Sequence, residues 1–452
     1  MGAITLQQAA QWCGGKISPK YKDVTFFGAN NDTRKLEAGE LFVALKGARD
    51  GHDFIPVALE KGAAAVLCTH CDGDYPAIVV EDTRIALGDI ARGERQRLGC
   101  KVVGITGSVG KSTTKEMVAA VLSSTYRVGK SPANHNNDIG MPMAILRLPE
   151  DTQIAVLEMG MNHFGEIAYL SAIAKPDVAV IVNIGTMHIE HLGSREGILQ
   201  AKLEILEGMA ENGAVVLNGD EPLLWNLRDS GKSITYFGKQ NTQCAVLGTN
   251  VKSTENGVTF AAAYDDTTLC VELPIEGEHY VEDALAAVAV GMRLDIAPNA
   301  IEKSLSEFEN MQDRQEIFSA GEYTIIKDCY NAGPESMAAA LAVLGGKTGR
   351  KVAVLGEMLE LGDCTPAEHY RIGRLAAEKV DVLLAYGPNS ERVLKGAITG
   401  GMSNTKVRAF EDRDRLVEAL KQLARPGDVL LFKGSRGMRM ELILEAFLRQ
   451  EK

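Results

Sequence analysis

Val103-Gly-Ile-Thr-Gly-Ser-Val-Gly-Lys-Ser-Thr-Thr-Lys115 joins an apolar run to a helix-like run through glycines, hydroxyls and a lysine. Lys101-Val-Val-Gly-Ile105 has strand length, and Thr113 to Ser123 has helical spacing. A glycine-rich loop between strand and helix binds phosphate because bare backbone N–H groups approach the anion closely and the helix start adds partial positive charge. Thr106, Gly107, Ser108, Gly110 and Thr113 then cradle the phosphates, Lys111 reaches the terminal ones, and Ser112 offers its hydroxyl to Mg²⁺. The common spacing wants a glycine near Ile105 or Thr106, and Gly104 is one step too far, so the loop is a variant.

Strand-like runs recur at Ile154-Ala-Val-Leu157, Val178-Ala-Val-Ile-Val182 and Ala214-Val-Val-Leu217, with helical patterns such as Gly165 to Ile173 between them. Apolar strands alternating with helices predict a mostly parallel sheet with helices on both faces. In such sheets ligands sit outside the carboxyl ends of the strands. Glu158 is the first polar residue after its run, and His188 and His191 follow theirs by a short loop. Ser112, Glu158 and His188 are therefore expected on one rim, where hydroxyl, carboxylate and imidazole could hold divalent metals beside a triphosphate. Taken singly, Glu158 is also readable as a solvated strand end and His188 as a satisfied loop histidine. Lys202 borders the apolar face of a helix that Ser194 could cap; physics alone makes it a snorkelling surface lysine.

Upstream, residues 1–83 carry short apolar runs (Glu40-Leu-Phe-Val-Ala-Leu45, Ala63-Ala-Ala-Val-Leu67, Ala77-Ile-Val-Val80) and form a smaller α/β unit, before a helical stretch from Ala86 to Leu98. Near Asp313 the rhythm restarts, with strands suggested at Tyr323–Ile326, Lys351–Leu355, Val382–Ala385 and Asp428–Phe432. The expectation is a three-domain α/β protein: 1–83, a central P-loop ATPase-like domain over 84–312, and a Rossmann-like domain over 313–452. The 452 residues suit three domains of ~150 each. A net charge of −12 argues against wholesale binding of nucleic acid or anionic membrane. The start lacks the charged-then-apolar pattern of a signal peptide, and no apolar run approaches the ~18 residues of a membrane span. Eight scattered cysteines fit a reducing cytoplasm; Cys68-Thr-His-Cys71 has no second pair at zinc-site distance.

The ordered set Thr106-Gly-Ser-Val-Gly-Lys-Ser112, Leu157-Glu-Met-Gly160, Gly185-Thr-Met-His188 and Ala201-Lys-Leu-Glu204 resembles the Mur ligase family of peptidoglycan synthesis, over nearly the whole chain. Asn134-His-Asn-Asn-Asp-Ile-Gly-Met-Pro142, Asp328-Cys-Tyr-Asn-Ala-Gly-Pro334, Leu355-Gly-Glu-Met-Leu-Glu-Leu-Gly362 and Lys433-Gly-Ser-Arg436 are similar to the member that adds D-alanyl-D-alanine to UDP-N-acetylmuramoyl-tripeptide. The resemblance implies an ATP-dependent ligase that forms an acyl phosphate in the cytoplasm and works as a monomer. It implies Lys111 on the phosphates, Ser112 and Glu158 on one Mg²⁺, His188 on a second, and Lys202 as a carbamate beside that second ion. By the same resemblance Asn137 lies at the junction of ATP and substrate, and Asp283, Arg314 and Asp328 contact ATP. Thr33, Arg34, Lys46 and Gly47 take the uridine diphosphate end of the substrate, and Asn331, Lys433, Ser435 and Arg436 the amino substrate.

The chain departs from the family pattern in places. His279-Tyr-Val-Glu-Asp283 stands where relatives carry asparagines, and an ionised Asp283 only accepts hydrogen bonds where an amide also donates. Gly333 replaces a common asparagine, and Asp313 a glycine. Thr33, Arg34, Lys46 and Gly47 are also readable as solvated turns. Two other functions stay open at this point: a ligase of the same fold with another amino substrate, and a nucleotide-switched binding protein. Hinges are expected near Thr83 and Asp313.

Overall fold

The computed structural model describes residues 2–132, 134–254, 256–311 and 314–449. Three main sheets follow one another along the chain. The first orders its strands Lys16–Ile17, Ala77–Val79, Ala65–Cys68, Leu41–Val43 and Ala29–Asn30, parallel except for the first pair. A two-stranded ribbon, Ile4–Thr5 with Thr25–Phe26, lies beside it.

The central sheet has nine strands. Lys101–Thr106 sits between Ile154–Glu158 and Val178–Ile181, and Val128–Lys130, Ala214–Asn218 and Ile234–Gly238 extend the parallel part. Helix Lys111–Ser123 starts at Gly110, whose φ of 83° is left-handed backbone that glycine supplies at little cost. Two apolar clusters cover the two faces of this sheet. Val246–Thr254, Gly257–Tyr264 and Thr267–Leu273 add an antiparallel edge that the sequence reading did not anticipate. Their burial alternates, as in Thr267–Leu273, because an antiparallel edge buries one face only.

The third sheet orders Glu316–Ala320, Tyr323–Asp328, Val429–Lys433, Lys351–Gly356, Val382–Tyr386 and Val407–Phe410, antiparallel only at the first pair. Its two apolar clusters are built entirely of residues from Ile317 onward. The junction expected at Asp313 lies outside the described residues.

The hinge expected near Thr83 is not borne out. Thr83 is the buried first residue of helix Thr83–Leu98, and its hydroxyl donates to Ala44 O at 3.0 Å. One continuous apolar cluster runs from Ile4 and Phe26 through Leu87 and Ile90 to Leu157 and Ile181, so the first two sheets share a core. The helix docks closely at two glycines: a Cβ at Gly88 would run into the Tyr169 hydroxyl, and one at Gly93 into the Trp12 ring. Among the described residues no helix is long and apolar enough to cross a membrane.

Gly93→Val should therefore lower stability by about 1–3 kcal/mol through overpacking. Trp12 and Trp225 are the only tryptophans. In a Trp225→Phe background the Trp12 emission should report both the displaced ring and the lowered urea midpoint. An unchanged spectrum and midpoint would show that the helix has room to spare.

Candidate active site

Register brings the phosphate loop and the acid together. Glu158 pairs with Ile105 and Ile181 with Thr106, so three strands end at one rim. A cleft of about 620 Å³ opens there, between the central sheet and the carboxyl ends of the third sheet. Ser108, Gly110, Lys111, Ser112, Thr113, Glu158, His188 and Asp283 line it from the central side, and Arg314, Asp328, Asn331 and Lys433 from the other.

Glu158 is buried and fully engaged. Oε2 accepts from Ser112 Oγ at 2.6 Å, Oε1 from Asn136 Nδ2 at 2.8 Å, and its own N–H donates to Ser131 Oγ at 3.2 Å. Ser112 Oγ also accepts from Arg314 Nη2 at 3.0 Å, and the Arg314 guanidinium stacks 4.2 Å from the Tyr330 ring centroid. Lys111 folds back on its own loop, donating to Gly107 O at 2.8 Å and Ser108 O at 3.2 Å. Burial pushes the Lys111 ammonium down, Glu158 pulls it up and Arg314 pushes it down again. Thr106 lies at the strand end beneath the loop, its hydroxyl buried and without a hydrogen-bond partner among the described residues.

Asn183 braces the loop. Its Oδ1 accepts from the N–H groups of Ser108 and Val109, both at 3.0 Å, and its Nδ2 donates to Val109 O at 3.0 Å. It is the first polar residue after the strand run ending at Val182, so the rule that singled out Glu158 could have found it.

His188 has left-handed backbone, φ 65°, and Nδ1 lies 2.7 Å from Glu360 Oε2, off the line of an ideal hydrogen bond. Lys202 sits in helix Arg195–Leu203, which Ser194 Oγ caps by accepting from Gly197 N at 3.1 Å. The expectation of a snorkelling side chain fails: Lys202 is 1% exposed, and its amino group has no hydrogen bond or ion pair among the described residues. It stays behind the cleft wall, close enough to Lys111 for repulsion. Burial, then that repulsion, holds its amino group well below the lysine range.

Asp283 is buried in the cleft wall, with Oδ1 accepting from Thr114 Oγ1 at 2.6 Å. Burial pushes its carboxyl from the ordinary 3.8 to about 8, against the lowering hydrogen bond from Thr114. At neutral pH the group is an acid that can donate as well as accept, much as an amide does.

On the facing side Lys433 Nζ donates to Asp328 Oδ2 at 2.6 Å and Asn331 O at 3.0 Å. Ser435 is not on the cleft wall; it is buried and ties the turn, donating to Ala332 O at 3.1 Å and accepting from Leu359 N at 2.9 Å. Arg436 is exposed beyond it, 3.7 Å from Glu441. A Cβ at Gly333 would come 2.7 Å from Met187 Cγ, so the asparagine of relatives would need Met187 to move.

Asn137 also stays off the cleft wall. Its Oδ1 accepts from Gly140 N at 2.7 Å at the start of helix Gly140–Leu146, while the neighbouring Asn136 reaches Glu158. Thr33, Arg34, Lys46 and Gly47 lie in the first unit away from this cleft. Arg34 grips Asp32 through two bonds of 2.9 and 2.7 Å, which draws the Asp32 carboxyl down to about 2. Lys46 pairs with Asp50 in a turn, and Gly47 N donates to Arg49 O at 3.1 Å.

Asn183→Ala should weaken ADP binding about tenfold, since the loop N–H groups lose their fixed acceptor; calorimetric titration measures it, and unchanged affinity would show the loop holds its shape alone. Asp283→Asn tests the buried acid. Between pH 3.8 and about 8 the native chain keeps a proton that the unfolded chain releases, so wild-type stability falls as pH rises through that window. The advantage of the Asn variant should grow by up to about 1.4 kcal/mol per pH unit and level off above pH 8. Urea midpoints from pH 5 to 9 check it; parallel profiles would mean Asp283 is ionised in the native protein.

Comparison with known proteins agrees with this geometry. Three family models match in order: the Mur ligase family, catalytic domain over residues 26–95, the Mur ligase middle domain over 105–291, and the Mur ligase, glutamate ligase domain over 313–436. The UDP-N-acetylmuramoyl-tripeptide–D-alanyl-D-alanine ligase of Bacillus subtilis (strain 168) is 41% identical over 451 residues, covering 98% of this chain and 97% of that protein. The crystal structure of MurF from Acinetobacter baumannii superposes with a TM-score of 0.91 at 33% identity, covering 100% of both chains. MurF ligase from Thermotoga maritima in complex with ADP does so with a TM-score of 0.82 at 30% identity, covering 93% of this chain and 97% of that one. With a relative this similar along its full length, and with the phosphate loop, buried acid and the facing Arg314 and Lys433 in one cleft, the chain belongs to the Mur ligase family.

Proposed function

We propose that the chain is an ATP-dependent ligase that joins D-alanyl-D-alanine to the terminal carboxylate of UDP-N-acetylmuramoyl-tripeptide. The observation that carries this reading is the single cleft in which Lys111, Ser112, Glu158 and His188 face Arg314, Asp328 and Lys433. Residues 1–83 would hold the uridine end through Thr33, Arg34, Lys46 and Gly47, residues 84–312 the ATP, and residues 313–452 the dipeptide.

An amide forms from a carboxylate in water only after activation. The γ-phosphoryl of ATP passes to the tripeptide carboxylate, ADP departs, and the dipeptide amine attacks the acyl carbon. Phosphate then leaves and the nitrogen gives up its proton. Two anions must first meet, and Lys111 and Arg314 offset their repulsion at the loop. Gly107, Ser108 and Gly110 wrap the phosphates, with Asn183 holding the loop's shape. Asp328 suits ribose hydroxyls, and Asp283 in its acid form both donates and accepts beside the nucleotide. Asn137 orders the turn that carries Asn136. Lys433 and Asn331 meet the dipeptide at the wall, with Ser435 fixing their turn and Arg436 at the rim.

The donors suit Mg²⁺: the Ser112 hydroxyl and the buried Glu158 carboxylate would hold one ion, and His188 would help hold a second. Bound there, the ions would neutralise charge on the transferring phosphoryl. Lys202 fits a carbamate, because burial and the nearby Lys111 hold its amino group well below the lysine range and so favour the unprotonated amine that adds to CO₂ with loss of a proton, and the product anion would attract Lys111 where an ammonium repels it. All eight cysteines are free, which suits the cytoplasm; the reading takes the enzyme as a monomer.

Phosphate release with UDP-N-acetylmuramoyl-tripeptide and ATP should depend on D-alanyl-D-alanine and yield the pentapeptide by mass spectrometry. Release with single amino acids but none with the dipeptide would reject the assignment. Lys202→Ala should lose ligation by about 100-fold or more while retaining ADP binding; an unchanged rate would remove Lys202 from the machinery.

A further inference from the structure

The loop that carries His188 is gripped from the C-terminal unit by two carboxylates. Glu335, in the first turn of helix Pro334–Gly346, accepts through Oε1 from Thr186 N at 2.9 Å and Thr186 Oγ1 at 3.0 Å. Two residues past Thr186 in the same loop, His188 Nδ1 lies 2.7 Å from Glu360 Oε2, in contact though off the line of an ideal hydrogen bond. The seam leaves no room for side chains: a Cβ at Gly185 would come 2.9 Å from the Glu335 carboxylate, and one at Gly362 would come 3.1 Å from Glu190 Cα. His188 and Glu360, at φ 65° and 63°, face each other in left-handed backbone, a strain that persists only where surrounding contacts over-determine it.

A carboxylate at Nδ1 selects the tautomer with its proton there. Nε2, which has no hydrogen bond among the described residues, is then the bare nitrogen of a ring that lines the cleft. We propose that Glu360 is a positioning residue for ligation: carried by the C-terminal unit, it fixes the ring and tautomer of His188 when that unit docks, while Glu335 anchors the same loop. Docking thereby completes the site. This deepens the ligase reading and rests on it for the role of His188.

The test uses full-length wild type, Glu360→Ala and Glu360→Gln. In metal-free, nucleotide-free protein labelled with ¹⁵N-histidine, the His188 signals (assigned with His188→Ala) should show the Nδ1–H tautomer in wild type and Glu360→Gln, and a mixture in Glu360→Ala. Steady-state ligation by Glu360→Ala should fall 10–100-fold in kcat. KM for ATP should stay within about twofold, and Glu360→Gln, whose amide oxygen still accepts, should recover most of the rate. ADP affinity equal to wild type shows that the alanine variant is folded; if it is not, the glutamine variant against wild type and His188→Ala decides. Wild-type tautomer and kcat in Glu360→Ala would overturn the proposal. A wild type that shows the tautomer but does not ligate the dipeptide would instead sink the substrate assignment and leave the Glu360–His188 coupling standing.

Discussion

A buried carboxylate governs this site. Taking Glu158 out of water is costly unless each oxygen finds a donor, and Ser112 and Asn136 meet that demand. The arrangement fixes the first turn of helix Lys111–Ser123 against the end of strand Ile154–Glu158, and so fixes the phosphate loop between them. Lys111 is left to its own loop carbonyls, and Lys202 makes no ion pair among the described residues. What remains at the loop itself is the Lys111 ammonium and the bare N–H groups of a helix start, and phosphate is the anion that this backbone geometry fits.

The facing wall follows the same logic. Lys433 is buried, and Asp328 supports it at 2.6 Å, directly across adjoining strands of the third sheet. Arg314 leaves that side to reach Ser112, with the Tyr330 ring holding the guanidinium flat. Polar groups of each unit thus end on atoms of the other, and the chemistry is shared between them.

Much of this was legible in the sequence. Lys111 and Ser112 followed from spacing, Glu158 from its place after an apolar run, and the parallel sheets from alternation of strand and helix. Asn183 obeyed the same rule as Glu158 but was passed over for the histidine beyond it. The burial of Lys202 was hidden, because a lysine beside an apolar stripe reads equally as a snorkelling one until tertiary packing decides. Glu335 and Glu360 gave no local signal, since each matters only through a loop some 150 residues away in the chain. The antiparallel edge strands were missed because their polar alternation resembles loop sequence. Asp283 looked like a liability while taken as ionised; only its depth in the wall makes it an acid at neutral pH.

The shared core of the first two sheets has a mechanical consequence. Swinging the N-terminal lobe would tear open apolar packing that runs from Ile4 to Ile181, whereas the C-terminal lobe keeps its apolar clusters to itself and meets its neighbour largely through polar pairs such as Lys347 with Glu276. Exposed hydrocarbon is costly in water and broken ion pairs are largely rehydrated. The first two lobes are therefore fused into one block, and the seam with the third is the one whose opening would expose the least hydrocarbon.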